Sequence, residues 1–325
     1  MKQSESAQPD RTRESATHSG AQQPSYEPMP SDPSPPTWSQ DEGAGPDTRW
    51  RLLRTPSPAQ ALALFASALL LLLVVGSVTQ RYRPGRIGIA LTELIAILLP
   101  ALLWSAERRR DILSALRLRQ LGLRHVLGGV CLGAALFYLL AVWVEPLLEQ
   151  LIPISERERQ QLIQLIRPTS GLRPLWQDLL CFALTPALCE EILFRGAILS
   201  TLLKQWTATT SAHGPKHPSR EPATTVQAVL ICALLFGAFH LSWAKLLPTA
   251  LLGLGFGAAT VMSRSLWSAI AMHFTNNALV VMLIRLGHED LPLRSFTGPA
   301  FGAMLAAASA TVVGLALLRH KPTTS

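Results

Sequence analysis

A series of apolar segments, each about 20 residues long, dominates the sequence from residue 59 onward. A helix of about 20 apolar residues spans the hydrocarbon core of a bilayer, so segments of this length predict membrane-spanning helices. About eight of them occur, at residues 59–79, 87–105, 126–146, 176–200, 225–242, 246–262, 265–285 and 297–318. The predicted fold class is therefore all-α, a multi-pass transmembrane helical bundle of about eight spans.

The composition agrees with a membrane protein and argues against a nucleic-acid-binding one. Only 15% of the residues are charged and the mean hydropathy is +0.27, whereas a soluble domain carries about 25% charged residues. The formal net charge of +8 is scattered over short loops and forms no single basic stripe. We therefore expect the lipid bilayer, and no nucleic acid, among the partners.

The basic loops predict how the spans are oriented. Residues 106–124 hold six arginines, and loops rich in Lys and Arg stay on the cytoplasmic side of a membrane. Both termini of an eight-span chain would then be cytoplasmic, although the three arginines of residues 80–86 argue mildly against this orientation. Between the third and fourth spans, the stretch ISERERQQLIQLIRP predicts either an amphipathic helix at the membrane interface or an ordinary connecting helix.

The stretch LTPALCEEILFRGAIL, residues 184–199, puts three charges inside an apolar run. Ionisable residues at bilayer depth are costly and usually face a protein interior or a water-filled cavity. Glu191 and Arg195 are four residues apart in the order that favours an ion pair on one helix face. Glu190 points about 100° away and stays free to act. Pro186, one turn earlier, removes one helix hydrogen bond, which predicts a kink of the span there. The alternative is a buried ion network that only fixes helix packing.

Two histidines and an asparagine in later spans extend this polar set. His240 lies in the stretch LLFGAFHLSW, one turn after Phe236, which we expect to shape a pocket wall. His273 and Asn277 are four residues apart, so they share a helix face. None of the four cysteines, at positions 131, 181, 189 and 232, forms a C-x-x-C pair, and we expect them to be buried free thiols.

A glutamate, two histidines and an asparagine can together hydrolyse an amide bond with water. A glutamate in an apolar pocket can take a proton from water, and one histidine can orient that water. The second histidine and the asparagine amide can donate hydrogen bonds to the oxyanion of the tetrahedral intermediate. The same residues, Glu190, His240 and His273, could instead hold a divalent metal such as Zn²⁺. Neither an H-E-x-x-H nor a G-x-S-x-G motif occurs.

Three motifs in the right order resemble those of the CPBP family. EEILFR resembles the E-E-x-x-x-R motif, FGAFH the F-x-x-x-H motif and HFTNN the H-x-x-x-N motif of that family. The family comprises type II CAAX prenyl endopeptidases and bacteriocin-processing or immunity proteins of the Abi kind. The segment LRLRQLGLRH at residues 116–125 also looks like a stretch often found upstream of these motifs.

The resemblance implies an all-helical intramembrane endopeptidase that acts on a peptide or protein substrate at the membrane. By that likeness Glu190 is the base, His240 helps to activate water, and His273 and Asn277 form the oxyanion site. Glu191, Arg195 and Phe236 would support them. We favour a glutamate-type mechanism without a cofactor; the family has also been described as metal-dependent. A non-catalytic peptide-binding or immunity protein is the alternative function, and a transporter is disfavoured because the chain shows no pair of related halves.

The resemblance also suggests how the chain is organised. The predicted parts are a disordered cytoplasmic tail at 1–52, N-terminal membrane helices with the amphipathic connector at 53–171, a CPBP-like catalytic core at 172–285 and a C-terminal span and tail at 286–325. A polar stretch at 207–225 predicts a flexible cytoplasmic loop; its HGPKH sequence offers a less favoured metal site. The expected location is the bacterial plasma membrane.

Overall fold

The computed structural model is helical throughout the part of the chain that it describes. The described residues are 57–108, 116–118, 121–153, 155–167, 174–204, 220–287 and 298–318. No strand occurs among them. The predicted all-α fold class is confirmed.

The helices are labelled α1 to α9 in chain order, and three of them change locally into the wider π-helical form. The regular helices are α1 (Pro58–Tyr82), α4 (Glu156–Ile166), α6 (Arg220–Phe239), α7 (Trp243–Ser263), α8 (Leu266–Leu286) and α9 (Gly298–Leu318). Helix α2 consists of Arg86–Thr92, π-helical Glu93–Leu98 and Leu99–Arg108, and α3 consists of Leu123–Leu139, π-helical Leu140–Val144 and Glu145–Leu151. Helix α5 consists of Leu175–Asp178, π-helical Leu179–Leu184, Thr185–Glu191 and π-helical Ile192–Leu199, and it continues to residue 204.

A helix occupies each of the eight predicted spans, and α4 is the predicted connector. By length and composition alone, five helices of the described region could cross a membrane, namely α1, α2, α3, α7 and α8. Apolar portions of α6 and α9, Ala223–Phe239 and Gly302–Leu318, are shorter. That all eight helices cross the bilayer stays a prediction.

Two predicted segments fall wholly or partly outside the described residues. The tail at 1–52 and most of the 207–225 loop, including HGPKH, are among them. The predicted end of that loop was wrong, because α6 begins at Arg220 and residues 220–225 are helical. Pro222 does not prevent this, since proline is tolerated in the first turn, where backbone N–H groups lack intrahelical partners.

Helix α3 packs tightly against α8 and α9 through glycines. A Cβ atom at Gly129 would lie 2.4 Å from the carbonyl oxygen of Ser268, and one at Gly133 would lie 2.6 Å from that of Met272. Gly314 of α9 is equally close to Leu132 of α3. Small residues let helix backbones approach in a membrane, where packing replaces the hydrophobic drive as the main attraction. These contacts hold α8, which carries His273, in a fixed position.

Helix α5 lies in the middle of the bundle and contacts α2, α6 and α8. Its side chains from residue 189 to 202 are almost all buried, in a core shared with Phe65, Phe236 and Phe256. Leu116, in the arginine-rich stretch before α3, is also buried there and lies against Gly196. The charged segment of α5 is therefore enclosed by protein on several sides.

The predicted connector is the helix α4, as both alternatives required; its place at the membrane interface stays a prediction. Ser155 caps the N-terminus of α4, since its hydroxyl accepts a hydrogen bond from the Glu158 backbone N–H. Ile163 and Ile166 are buried against α5 and α8, while Leu162 remains exposed. The four cysteines all lie in described helices and are free thiols, and Cys189 and Cys232 are fully buried.

Gly129→Ala should lower the stability of the protein, because the new methyl group would clash with the α8 backbone. We expect a loss of about 1–3 kcal/mol, the usual cost of overpacking, measured by thermal unfolding in detergent. Gly302→Ala is the matched control, since a Cβ there meets no atom within 4 Å. An unchanged melting temperature for Gly129→Ala would contradict the close α3–α8 contact.

Candidate active site

The segment of α5 that carries the two glutamates lies between two π-helical stretches. Thr185–Glu191 is preceded by Leu179–Leu184 and followed by Ile192–Leu199, both π-helical. Pro186 has no N–H to donate. Just before it, both the backbone N–H and the hydroxyl of Thr185 donate to the Leu180 carbonyl, the hydroxyl at 2.8 Å. The helix is continuous through Pro186 and changes from π- to α-helical form at residue 185; a kink there stays a prediction. π-Helical bulges are frequent at functional sites, since they turn side chains away from the regular helical positions.

Glu191 and Arg195 form a fully buried ion pair, as their spacing predicts. Arg195 Nη1 donates to Glu191 Oε1 at 2.8 Å, and both side chains are completely shielded from solvent. Arg195 Nη2 donates to the carbonyl oxygen of Gly253 on α7 at 2.9 Å. A buried charge needs both a counter-ion and hydrogen bonds to be tolerated. The pair therefore ties α5 to α7.

Three phenylalanines surround the Arg195 guanidinium. Its central carbon lies 4.5 Å from the ring centre of Phe236, 5.2 Å from that of Phe256 and 5.9 Å from that of Phe194. Aromatic faces attract a cation, most strongly when water is excluded. Phe236, predicted to shape a pocket wall, thus packs directly on the supporting arginine.

His273 of α8 lies between the two glutamates. Its Nδ1 donates to Glu191 Oε1 at 2.9 Å, and its Nε2 is 4.0 Å from Glu190 Oε2. The ring stacks on Phe256 with the centroids 4.8 Å apart and meets Phe236 edge-on. A carboxylate acceptor at Nδ1 fixes the proton on that nitrogen and directs Nε2 to the opposite side. Glu191 thus holds both Arg195 and the His273 ring.

His240 lies at the end of α6, next to the same aromatic group. Its Nδ1 donates to the Phe236 carbonyl oxygen at 3.0 Å, and its ring meets Phe236 edge-on at 5.2 Å. The chain turns immediately afterwards, with Leu241 in the left-handed conformation at φ 52°. With Nδ1 donating to the backbone, Nε2 of the neutral ring is an acceptor. Phe236 is the residue that both histidine rings contact.

Asn277 lies one turn after His273 on α8. Its side chain is half-buried, and its Oδ1 accepts a hydrogen bond from Asn276 Nδ2 at 3.2 Å. Its own Nδ2 group is then the one that can donate to a bound ligand. Asn276 is more deeply buried than Asn277.

The residues considered as metal ligands do not form a metal-binding group in the structure. Across the described ranges, no three or more side chains of His, Cys, Asp or Glu cluster in a way that could hold a metal ion. Nδ1 of both His240 and His273 bonds to a protein acceptor, which leaves Nε2 as the ring nitrogen that could reach a ligand. Metal binding by Glu190, His240 and His273 stays an alternative.

Several residues near the site were not assigned a role from the sequence. They are Gly253, whose carbonyl accepts from Arg195, Phe256 beneath His273, and Glu93, a buried carboxyl on the π-helical turn of α2 that packs against Thr185–Glu191. Glu93 could have been noticed in the sequence, because it is an acidic residue within a predicted span. Nothing in the sequence marks the Gly253 carbonyl, and nothing distinguishes Phe256 from the other nine phenylalanines.

A second buried charge group joins the ends of three helices. Asp178 of α5 is completely buried and accepts from Arg86 of α2 and from Arg285 of α8, each at 3.2 Å. Arg86 also donates to Gln177 at 2.9 Å. Asp178 lies twelve residues before Glu190, which is about 18 Å along a helix. This group fastens α2 and α8 to α5 at some distance from the glutamate pair.

Comparison with known proteins agrees with the motif resemblance. Residues 172–279 match the family model described as type II CAAX prenyl endopeptidase Rce1-like. This segment is therefore similar to that family. The match is consistent with the CPBP family and spans about a third of the chain. No curated protein and no solved structure gives a match.

The matched segment runs from just before α5 almost to the end of α8. It contains Glu190, Glu191, Arg195, Phe236, His240, His273 and Asn277. Together with the five long apolar helices, the match supports an integral membrane protein.

Arg195→Met should destabilise the protein strongly, because it leaves the Glu191 charge buried without its cation. We expect a loss of roughly 3–5 kcal/mol, measured by thermal unfolding in detergent. The double variant Glu191→Gln/Arg195→Met should recover part of this loss, since no uncompensated charge remains. As a control, Arg159→Ala removes a partly exposed pair with Glu149 and should cost about 1 kcal/mol or less. Equal losses for Arg195→Met and Arg159→Ala would contradict a buried pair.

Proposed function

We propose that this protein is an intramembrane endopeptidase that hydrolyses a peptide bond with water activated by Glu190. The observation that carries the proposal is the division of labour between the adjacent glutamates. Glu191 accepts hydrogen bonds from Arg195 and His273 through Oε1 alone, and the Oε2 atoms of both glutamates are buried without a partner. Among the described residues no arginine pairs with Glu190, whose Oε2 lies 4.0 Å from His273 Nε2. One carboxylate is thus structural, and the other remains available for chemistry.

Glu190 is the general base in this proposal. A buried carboxyl oxygen without a hydrogen-bond partner can accept a proton from a water molecule. The proton moves from water to Glu190 while the water oxygen bonds to the carbonyl carbon of the substrate. The surrounding phenylalanines keep bulk water away, which strengthens each electrostatic interaction in the site.

His240 orients the same water. Its Nδ1–H is directed to the Phe236 carbonyl, so Nε2 offers a lone pair that can accept a hydrogen bond from water. The end of α6 and the turn that follows hold the ring at this point. The assignment predicts that His240→Gln retains more activity than His240→Leu, because the amide oxygen of Gln can still accept a hydrogen bond.

His273 and Asn277 stabilise the oxyanion of the tetrahedral intermediate. Asn277 donates from Nδ2, the end of its amide that is not bonded to Asn276. His273 donates from Nε2 when that nitrogen also carries a proton, with Nδ1 still held by Glu191. Donors aimed at the developing negative charge account for much of the rate in acyl-transfer reactions.

The substrate class follows from the membrane setting and the family likeness. Several helices long enough to cross a bilayer surround the site, so the substrate is a peptide that lies in or on the membrane. The Rce1-like match makes prenylated C-terminal peptides the first class to test. The arginine-rich stretch at 106–124 supports a cytoplasmic N-terminus, and the arginine- and alanine-rich composition supports a bacterial plasma membrane.

Glu190→Gln should abolish cleavage while leaving the fold intact. We expect a fall in kcat of about 10²–10⁴-fold, the usual contribution of a general base, with fluorogenic peptides bearing or lacking a prenyl group and purified protein in detergent. Glu145→Gln, an exposed glutamate on α3, is the matched control. Each protein is also assayed with a strong chelator, which separates a glutamate-type reaction from a metal-dependent one.

Full cleavage by Glu190→Gln would overturn the proposed base. Loss of wild-type cleavage with chelator would replace the glutamate-type mechanism by a metal-dependent one. No cleavage of either peptide class by the wild type, combined with saturable binding of the same peptides, would favour the non-catalytic peptide-binding function.

A further inference from the structure

Glu93 is a third buried carboxyl beside the two glutamates of α5. It lies at the start of the π-helical turn Glu93–Leu98 of α2, which packs against Thr185–Glu191 of α5. Its side chain is about nine-tenths buried, and its Oε2 has no hydrogen-bond partner in the described structure. A buried polar atom without a partner is rare in folded proteins, and a bound water or ion, strain or a catalytic role explains it.

Glu93 and Glu190 lie on segments of α2 and α5 that pack against each other. The Oε2 atom of Glu190 is buried and also lacks a hydrogen-bond partner. Two contacting helical segments therefore each carry a buried carboxyl group with an oxygen that has no protein partner.

The charges of the site leave Glu93 without a cation. Arg195 is taken by Glu191, and His273 lies between Glu191 and Glu190. No ion pair of the described residues involves Glu93. A buried carboxyl without a counter-ion is most stable as the neutral acid, with a proton bound. Glu190 differs in having His273 Nε2 at 4.0 Å from its Oε2, so of the two carboxyl groups Glu93 is the one that keeps a proton.

This arrangement supplies a step that the proposed function lacks. When the C–N bond of a peptide breaks, the leaving amine nitrogen must gain a proton. Nδ1–H of His240 donates to the Phe236 carbonyl and that of His273 to Glu191, so neither of these protons is directed at the substrate. Adjacent carboxyl groups that hold one proton between them are suited to act as an acid and base pair.

We propose that Glu93 is a further catalytic residue, which donates its proton to the leaving amine of the substrate. The inference rests on the proposed function. In the first step, a proton passes from water to Glu190 as the water oxygen bonds to the carbonyl carbon. In the second, the tetrahedral intermediate re-forms its carbonyl, the C–N bond breaks, and the proton of Glu93 passes to the nitrogen. Transfer of the proton from Glu190 to Glu93 then restores both groups.

The test compares an amide with an ester of the same peptide. An ester with a weakly basic leaving alcohol departs without protonation, so it does not need a general acid. Glu93→Gln should lower kcat for the amide by about 10²–10⁴-fold with little change in KM, and should hydrolyse the ester at close to the wild-type rate. Glu93→Asp should regain part of the amide activity. Glu190→Gln should lose both reactions, and Glu145→Gln neither.

Equal losses on amide and ester in Glu93→Gln would overturn the proposal, since a merely structural role does not distinguish leaving groups. Unchanged amide cleavage in that variant would overturn it too. Cleavage of both substrates by Glu190→Gln would instead refute the proposed base.

Infrared spectroscopy provides a measurement that does not require activity. Wild-type protein at neutral pH should show the carbonyl band of a protonated carboxyl group, and Glu93→Gln should lack it while melting at a similar temperature. The same band in both proteins would show that Glu93 carries no proton and would contradict its role as an acid, even if no substrate is cleaved.

Discussion

The buried contact of Glu191 with Arg195 and His273 is the interaction on which the rest of the site depends. One carboxylate oxygen accepts from the guanidinium and from the imidazole at 2.8 and 2.9 Å. It neutralises Arg195, fixes the His273 ring and leaves the neighbouring Glu190 without a strong partner. Because the three residues are buried, no water can replace a missing partner, and the loss of one leaves an uncompensated charge. In the proposed mechanism, Glu191 thus organises the site in which Glu190 acts as the base.

Helix packing keeps this contact in place. The phenylalanines around Arg195 and His273 come from α5, α6 and α7, so they bring together helices that carry the polar residues. The glycines of α3 allow α8 to approach closely, which sets the depth and rotation of His273. Asp178 fastens α2 and α8 to α5 through two arginines. Apolar packing and buried ion pairs therefore both fix the positions of the helices that carry the site.

Much of this architecture can be predicted from the sequence, because membrane length and helical spacing are local properties. Apolar runs predict the eight helices, and the four-residue spacing predicts the Glu191–Arg195 pair. The contact between His273 and Glu191 cannot be predicted in this way, since it joins residues 82 positions apart whose meeting depends on how α5 and α8 pack. The role of the Gly253 carbonyl cannot be predicted from side-chain patterns, because it is a backbone group. Glu93 is visible as an isolated charge, but only the fold brings it to Glu190.

The measurement that tests this account most directly is ¹⁵N NMR of the His273 imidazole in histidine-labelled protein, with the resonances assigned by comparison with His273→Gln. The account predicts a proton on Nδ1, hydrogen-bonded to a carboxylate, and a marked change of the Nδ1 resonance in Glu191→Gln but little change in Glu145→Gln. If Nδ1 of His273 is unprotonated, or if its resonance does not change in Glu191→Gln, the claim that Glu191 holds His273 and leaves Glu190 to act is contradicted.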